Sequence, residues 1–165
     1  MSLEIERRFL LKNDNWKEFI IKKINIEQGY LSKSLDDWIS RIRFTGKEFK
    51  IALKKHIQSF TNFEFEYSIP LSDGEKIMSN LTNKVKKERF FLEVGKKSWI
   101  VDCFKEDNYP LEIAEIELSR EEEDISLPSF ISEEITGVIH YSNFSLALKP
   151  FSKWGEEFLT TLKKN

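Results

Sequence analysis

Thirteen charged side chains occupy alternate positions of short segments that otherwise read as strands: Glu4, Glu6 and Arg8; Arg41 and Arg43; Lys54; Glu64 and Glu66; Lys87 and Arg89; Asp102; Glu115 and Glu117. The set holds seven acids and six bases, most of them in like-charged pairs two residues apart. On a strand that spacing puts both side chains on one face, so each pair repels unless something neutralises it. A divalent cation neutralises paired carboxylates through oxygen ligands, and a phosphate chain neutralises paired arginines and lysines. A metal-bound polyphosphate does both. His56 and His140 are the only histidines, too few for a histidine-based metal cluster, and both read as structural or surface groups. Cys103 alternates with Asp102 and reads as a packed thiol on the opposite face.

The elements that must carry these charges are strands. Period-2 segments rich in Ile, Phe, Tyr and Val recur at about 3–11, 25–32, 37–45, 47–55, 62–69, 84–92, 97–105 and 110–119. Gly46 in FTGKEF and Gly95 in EVGKKS each sit between two such segments and predict hairpins, so consecutive strands are expected antiparallel. Helices are predicted over NDNWKEFIIKKI (13–24), over SDGEKIMSNL (72–81) with a Ser72/Glu75 capping box behind Pro70, and over the tail SKWGEEFLTTLKK (152–164). In the tail, Trp154, Phe158, Leu159 and Leu162 share one side, which suits packing on the outside or end of the fold, with partner binding as the sharper alternative.

Bulk composition narrows the setting. The 165 residues suit one domain with a sizeable core, a 1–150 body followed by the 151–165 amphipathic helix, and no repeat or Pro/Gly-rich linker divides them. A net charge of -2 argues against general nucleic-acid binding, so any polyanion site must be local. One cysteine excludes an intramolecular disulfide framework, and no apolar stretch approaches a membrane span. These features predict a cytoplasmic protein with no membrane partner.

Between the charges lie Ile5, Phe9, Ile42, Phe44, Leu53, Phe63, Phe65, Val101, Cys103, Ala114, Ile116 and Leu118, a set too apolar to face water. Two architectures satisfy this alternation. One is an open antiparallel sheet with a solvated charged face. The other is a closed barrel of about eight strands, its apolar face outward under helices and its charges lining a lumen wide enough for one small ligand. Grouping of like charges favours the barrel.

These segments resemble the CYTH superfamily, the triphosphate tunnel metalloenzymes. EIERRF resembles the family's E-x-E-x-K signature, ISRIRF its paired-arginine strand, IALKK its lysine strand and FEFEYSIP its central Glu-x-Glu strand. KKERF, WIVDCF and AEIEL are similar to the Lys-x-Arg, aspartate and second Glu-x-Glu strands, and ITGVIHYSNFSLA to the C-terminal Tyr-x-Asn-x-x-Leu-Ala segment. The resemblance runs from the first strand almost to Pro150. It implies an α+β fold built on an eight-stranded antiparallel closed β-barrel with a charged lumen, and hydrolysis of a linear triphosphate by in-line attack of water. Glu4, Glu6, Asp102, Glu115 and Glu117 would hold Mg²⁺ or Mn²⁺. Arg8, Arg41, Arg43, Lys54, Lys87 and Arg89 would cradle the phosphates, with Glu64 and Glu66 orienting them, and the reacting core would be Glu4, Glu6, Arg8, Lys87 and Arg89.

Four positions depart from the family's pattern: Arg8 replaces the signature lysine, Asn62 and His140 stand where arginine is common, and Phe144 where lysine sometimes occurs. Fewer bases are thus left for a nucleoside-bearing substrate, and inorganic tripolyphosphate is the expected one. Nucleoside or thiamine triphosphate hydrolysis, class IV adenylyl cyclase activity, and a non-catalytic polyphosphate or nucleotide sensor are the alternatives. Oligomeric state is left open.

Overall fold

The computed structural model describes residues 3–34 and 37–155. Its strands are β1 (Leu3–Leu11), β2 (Ile20–Tyr30), β3 (Ile39–Phe44), β4 (Phe49–Gln58), β5 (Thr61–Ile69), β6 (Lys84–Val94), β7 (Lys97–Phe104), β8 (Glu112–Glu117) and β9 (Ile131–Glu134). Two α-helices, α1 (Leu71–Ser79) and α2 (Asn143–Leu148), complete the regular structure with a few 3₁₀ turns. The strands run β5-β4-β3-β2-β6-β7-β8-β1, and β5 pairs back onto β1 to close an eight-stranded antiparallel barrel, with β9 added outside along β1.

The β5–β1 pairing decides between the two architectures that the alternation allows: it closes the sheet with the charged row inside and leaves the apolar row outside, where other elements cover much of it. The two predicted hairpins form as β3–β4 and β6–β7, turning at Gly46 and Gly95 with φ of 87° and 62°, a region that favours glycine.

The predicted helix over 13–24 is replaced by a 3₁₀ turn, Asn15–Phe19, and the first half of β2. Ile20, Ile21, Ile24 and Ile26 are β-branched, and the β2–β6 ladder starts already at Ile20 opposite Leu92, so pairing overrides the helical spacing of Trp16, Phe19 and Ile20. Helix α1 forms, but without the predicted capping box: its N-cap is Pro70, and the Ser72 hydroxyl donates to Asp73 instead. Of the predicted C-terminal helix, Phe151–Lys153 is a 3₁₀ turn and Trp154 is buried, while 156–165 lie outside the described residues.

Three apolar clusters hold the barrel. The outer wall of β6, β7, β8 and β1 packs Phe9, Leu92, Trp99, Val101, Ala114 and Ile116 under Trp16 of the first turn and Phe130 and Ile131 at β9. Helix α1 lays Met78 over Ile42 and Phe49 of the β3–β4 hairpin. The third cluster, with Val85, Phe104 and Ile113 from the strands and Tyr141, Leu146 and Trp154 from the C-terminal region, fills one end of the barrel interior. Among the described residues no helix is long and apolar enough to cross a membrane.

Candidate active site in the barrel lumen

The charged rows converge on a cavity of about 270 Å³ lined by Glu4, Glu6, Arg41, Arg43, Lys54, Glu64, Glu66, Lys87, Arg89, Glu115 and Glu117, together with Gln28 and Asn143. Eleven of the thirteen residues singled out above thus line one chamber. The other two, Arg8 and Asp102, are buried directly behind it.

The acids and bases neutralise one another across the strands. On β3 and β5, Arg41 and Arg43 each donate to a glutamate, Glu64 and Glu66, at 2.5 Å. Lys54 of β4 pairs with Glu4 and lies 3.6 Å from Glu6. Glu4 Oε2 is buried, with the Lys54 ammonium beside it. On the opposite wall Arg8 Nε and Arg89 donate to the two oxygens of Glu115, at 3.1 and 3.2 Å. Internal pairing therefore answers the repulsion that the like-charged spacing raised.

Asp102 is fully buried and spoken for: Lys87 Nζ donates at 2.5 Å, and Arg89 clamps both carboxylate oxygens at 2.7 and 2.8 Å. Burial opposes its charge, yet Arg89 and Lys87 hold the carboxyl well below the usual range. Burial acts on Lys87 too, and with Arg89 nearby it brings the ammonium down to about 8 despite Asp102. The directions agree on an ionised Asp102 at neutral pH. Arg43 is likewise lowered, by burial and by Arg41 beside it.

At the other end the acids outnumber their partners. Glu6 stands directly opposite Glu117 in the β1–β8 ladder. Burial and the neighbouring Glu4 and Glu6 raise the Glu117 carboxyl, and among the described residues no cation pairs with it. Burial raises Glu4 as well, against the pull of Lys54. A second cavity of about 330 Å³ shares Glu4, Glu6, Arg89, Glu115 and Glu117 and extends over Ile21, Phe91, Leu92 and Ile100. Acids thus meet an apolar wall at this end.

The far end is filled by α2. Phe144 packs edge-on against Tyr30 of β2 with ring centroids 5.3 Å apart, and Asn143 Oδ1 accepts from Lys87 Nζ at 3.0 Å. Arg8 ties this segment to the wall, donating from one terminal nitrogen to the Tyr141 carbonyl at 3.0 Å while the other is buried without a partner. Its guanidinium stays charged because Glu115, Glu6 and Asp102 outweigh burial.

Gln28 and Asn143 were not among the residues the charge pattern selected, because neither is charged. Gln28 had a signal in the sequence: it interrupts the row Ile24, Ile26, Gln28, Tyr30, and it donates to the Tyr30 hydroxyl at 2.8 Å. Neither histidine lines the chamber, and Cys103 lies outside it, its thiol pushed up to about 12 by burial and Glu112.

No protein-family model matches the chain. The inorganic triphosphatase of Acetivibrio thermocellus is 30 % identical over 158 residues, a stretch covering 94 % of this chain and 100 % of that protein. The crystal structure of the inorganic triphosphatase NE1496 superposes with a TM-score of 0.66 at 28 % identity, over 88 % of this chain and 97 % of that one. HpAC1 from Hippeastrum, a protein with a dominant triphosphatase activity, shares the fold at a TM-score of 0.55 and 14 % identity, over 74 % and 81 % of the two chains. With the first of these likenesses spanning nearly the whole of both chains, on a barrel of the same fold, this chain belongs to the CYTH superfamily of triphosphate tunnel metalloenzymes.

Proposed function

We propose that the chain hydrolyses a phosphoanhydride bond of inorganic tripolyphosphate, releasing pyrophosphate and phosphate, with Mg²⁺ or Mn²⁺ as its cofactor. The observation that carries this reading is the chamber itself, small and lined by bases on one side and, at one end, by three acids, Glu4, Glu6 and Glu117, with Lys54 the one lysine paired among them. It lies at the small end for a ligand site, as suits a compact polyanion. The similarity to two inorganic triphosphatases supports the same substrate.

The residues fit a hard divalent ion by donor chemistry: Glu4, Glu6 and Glu117 offer carboxylate oxygens at one end of the lumen. Among the described residues no three acids, histidines or cysteines form a ready-made metal site, because Glu4 and Glu6 lean toward Lys54. Glu4, Glu6 and Glu117 would hold the ion, and Asp102 would anchor Lys87 and Arg89 rather than serve as a ligand. Bound there, a divalent ion supplies Lewis-acid stabilisation and an activated water. Arg41, Arg43, Lys54, Lys87 and Arg89 turn from their internal acids to the phosphate oxygens, with Glu64 and Glu66 keeping the arginines oriented. That exchange places donors where charge builds on the leaving pyrophosphate. Arg8 holds Glu115 and the α2 segment in place from behind the wall.

A second reading, an organic triphosphate, is favoured by one observation: the apolar wall of Ile21, Phe91 and Ile100 beside the acidic end offers room for a base or ring. One assay separates the two: phosphate release from tripolyphosphate and from ATP with Mg²⁺, with Mn²⁺ and with EDTA, beside a folded Glu4→Gln/Glu6→Gln variant. Metal-dependent release from tripolyphosphate that the variant loses supports the proposal. Faster release from ATP, slowed selectively by Phe91→Ala, moves the assignment to an organic substrate. No release from either compound, with tight tripolyphosphate binding, leaves a sensor.

A further inference from the structure

The bases in and behind the lumen are each committed to an acid of the protein: Arg41 to Glu64, Arg43 to Glu66, Lys54 to Glu4, Lys87 and Arg89 to Asp102, and Arg8 to Glu115. A polyanion that engages one of them must loosen an internal pair. A base at the edge of the chamber with no acid of its own would carry no such cost, and β2 supplies one. The β2–β6 ladder pairs Ile20 with Leu92 and then Lys22 with Phe91, so Ile21 is an extra residue and Ile21 and Lys22 together oppose Phe91. That is a β-bulge, a device that re-aims side chains and is common beside functional sites. Both residues reach the acidic end. Ile21, 66 % exposed, lines the cavity of about 330 Å³ with Phe91, Glu4, Glu6 and Glu117. The exposed Lys22 carries its ammonium over the Phe91 ring, 5.5 Å from the centroid, and among the described residues no acid pairs with it. Lys23, the next residue, takes the outer face instead, opposite Phe90, and pairs with Glu88 at 3.0 Å.

We infer that Lys22 is a further substrate-binding residue, taking phosphate oxygens of tripolyphosphate at the acidic end of the chamber. The inference rests on the proposed substrate being a polyanion. A phosphate chain that reaches this end meets the repulsion of Glu4, Glu6 and Glu117, and a cation on the rim offsets it. An exposed cation–π contact is weak beside a buried ion pair, so Lys22 leaves Phe91 more readily than a lumen base leaves its acid. The ammonium is a point charge on a flexible stem, which suits following a phosphate group rather than fixing its geometry. Sitting at the rim, it binds the chain equally before and during reaction, so its contribution belongs in KM and not in kcat.

The test is steady-state hydrolysis of tripolyphosphate with Mg²⁺ by the full chain beside Lys22→Gln, Lys22→Arg and Lys23→Gln. Circular dichroism confirms folding, and calorimetric binding of tripolyphosphate in EDTA gives a readout without metal-dependent turnover. Lys22→Gln should raise KM about three- to tenfold, the worth of one hydrogen bond to a phosphate, and leave kcat within about twofold. Lys22→Arg should restore KM, because the guanidinium keeps the charge. The difference should shrink in about 0.5 M KCl, since an exposed contact is screened. Lys23→Gln removes the same charge from the outer face and should match the wild type at both salt concentrations. Equal KM and Kd in the wild type and Lys22→Gln overturn the inference. So does an equal rise in Lys23→Gln, which would assign the effect to net charge, or a fall in kcat alone, which would assign it to the packing of β2. A wild type that binds tripolyphosphate without hydrolysing it defeats the proposed reaction, while the Kd values still decide the role of Lys22. One that neither binds nor hydrolyses it overturns both.

Discussion

Lys87 is the side chain whose surroundings set a titration inside the working pH range. Its ammonium belongs near 10.5 in water and falls to about 8 here, chiefly through burial and then through Arg89. A base with a depressed pKa loses its charge as pH rises through the depressed value, so the free enzyme would lose one of the cations proposed to bind phosphate above about pH 8. Accordingly kcat/KM for tripolyphosphate should fall on the alkaline side with a midpoint near 8, since that ratio reports the free enzyme. In the complex the substrate's negative charge favours the ammonium, and the corresponding limb of kcat should lie higher. Lys87→Arg should remove the limb from the kcat/KM profile, because a guanidinium stays protonated throughout. An unchanged alkaline limb in that variant would assign the titration elsewhere. Arg8 illustrates how far a residue's role depends on place: the signature position predicts a substrate contact, whereas its side chain ends on Glu115 and the Tyr141 carbonyl.

Among the elements, α1 and the β3–β4 hairpin are joined through a glycine. A Cβ on Gly74 would fall 2.1 Å from Cγ and 2.6 Å from Cβ of Phe49, and Phe49 is stacked on Phe44 with centroids 4.5 Å apart. Helix propensity alone makes Gly→Ala favourable by about 1 kcal/mol in a helix interior. Overpacking a filled core costs about 1–3 kcal/mol and wins here, because Phe49 is buried and the clash falls at the base of its side chain, which a rotamer change cannot swing away. Gly74→Ala should therefore lower the free energy of unfolding in urea by about 1–2 kcal/mol, and an increase would show that the helix shifts outward freely. The same competition between local preference and pairing decided β2. Trp16, Phe19 and Ile20 carry helical spacing, yet the ladder to β6 claims Ile20 and then, past an irregularity at Ile21, Lys22 through Gly29.

For the whole molecule, the lumen is a network of ion pairs, with Glu117 left over, that the proposed ligands would have to exchange. Tripolyphosphate alone brings more negative charge to a chamber where Glu4, Glu6 and Glu117 already crowd one end. A divalent ion at the proposed site would have to draw Glu4 and Glu6 from Lys54. Together each releases the partner the other needs, so the two should bind with positive coupling. In thermal unfolding, tripolyphosphate with Mg²⁺ should stabilise the protein more than the sum of either alone, approaching about 2.7 kcal/mol at a hundredfold excess over Kd. Equal stabilisation by tripolyphosphate with and without metal would defeat this exchange.

The eight barrel strands and the charged rows they share were legible in the sequence, though not the ninth strand outside the barrel, because a period of two forces each alternating row onto one face whatever the strands pair with. Eleven of the thirteen chosen residues reach the chamber for that reason. Depth along the barrel was not legible. It depends on register and shear, which put Asp102 behind Lys87 and Arg89 and set Glu6 against Glu117. Nor could spacing show that α2 would fill one end, or that Asn143 would meet Lys87, since those contacts join residues 56 positions apart. Local periodicity is a property of the chain; which acid finds which base is decided only when distant strands close into a ring.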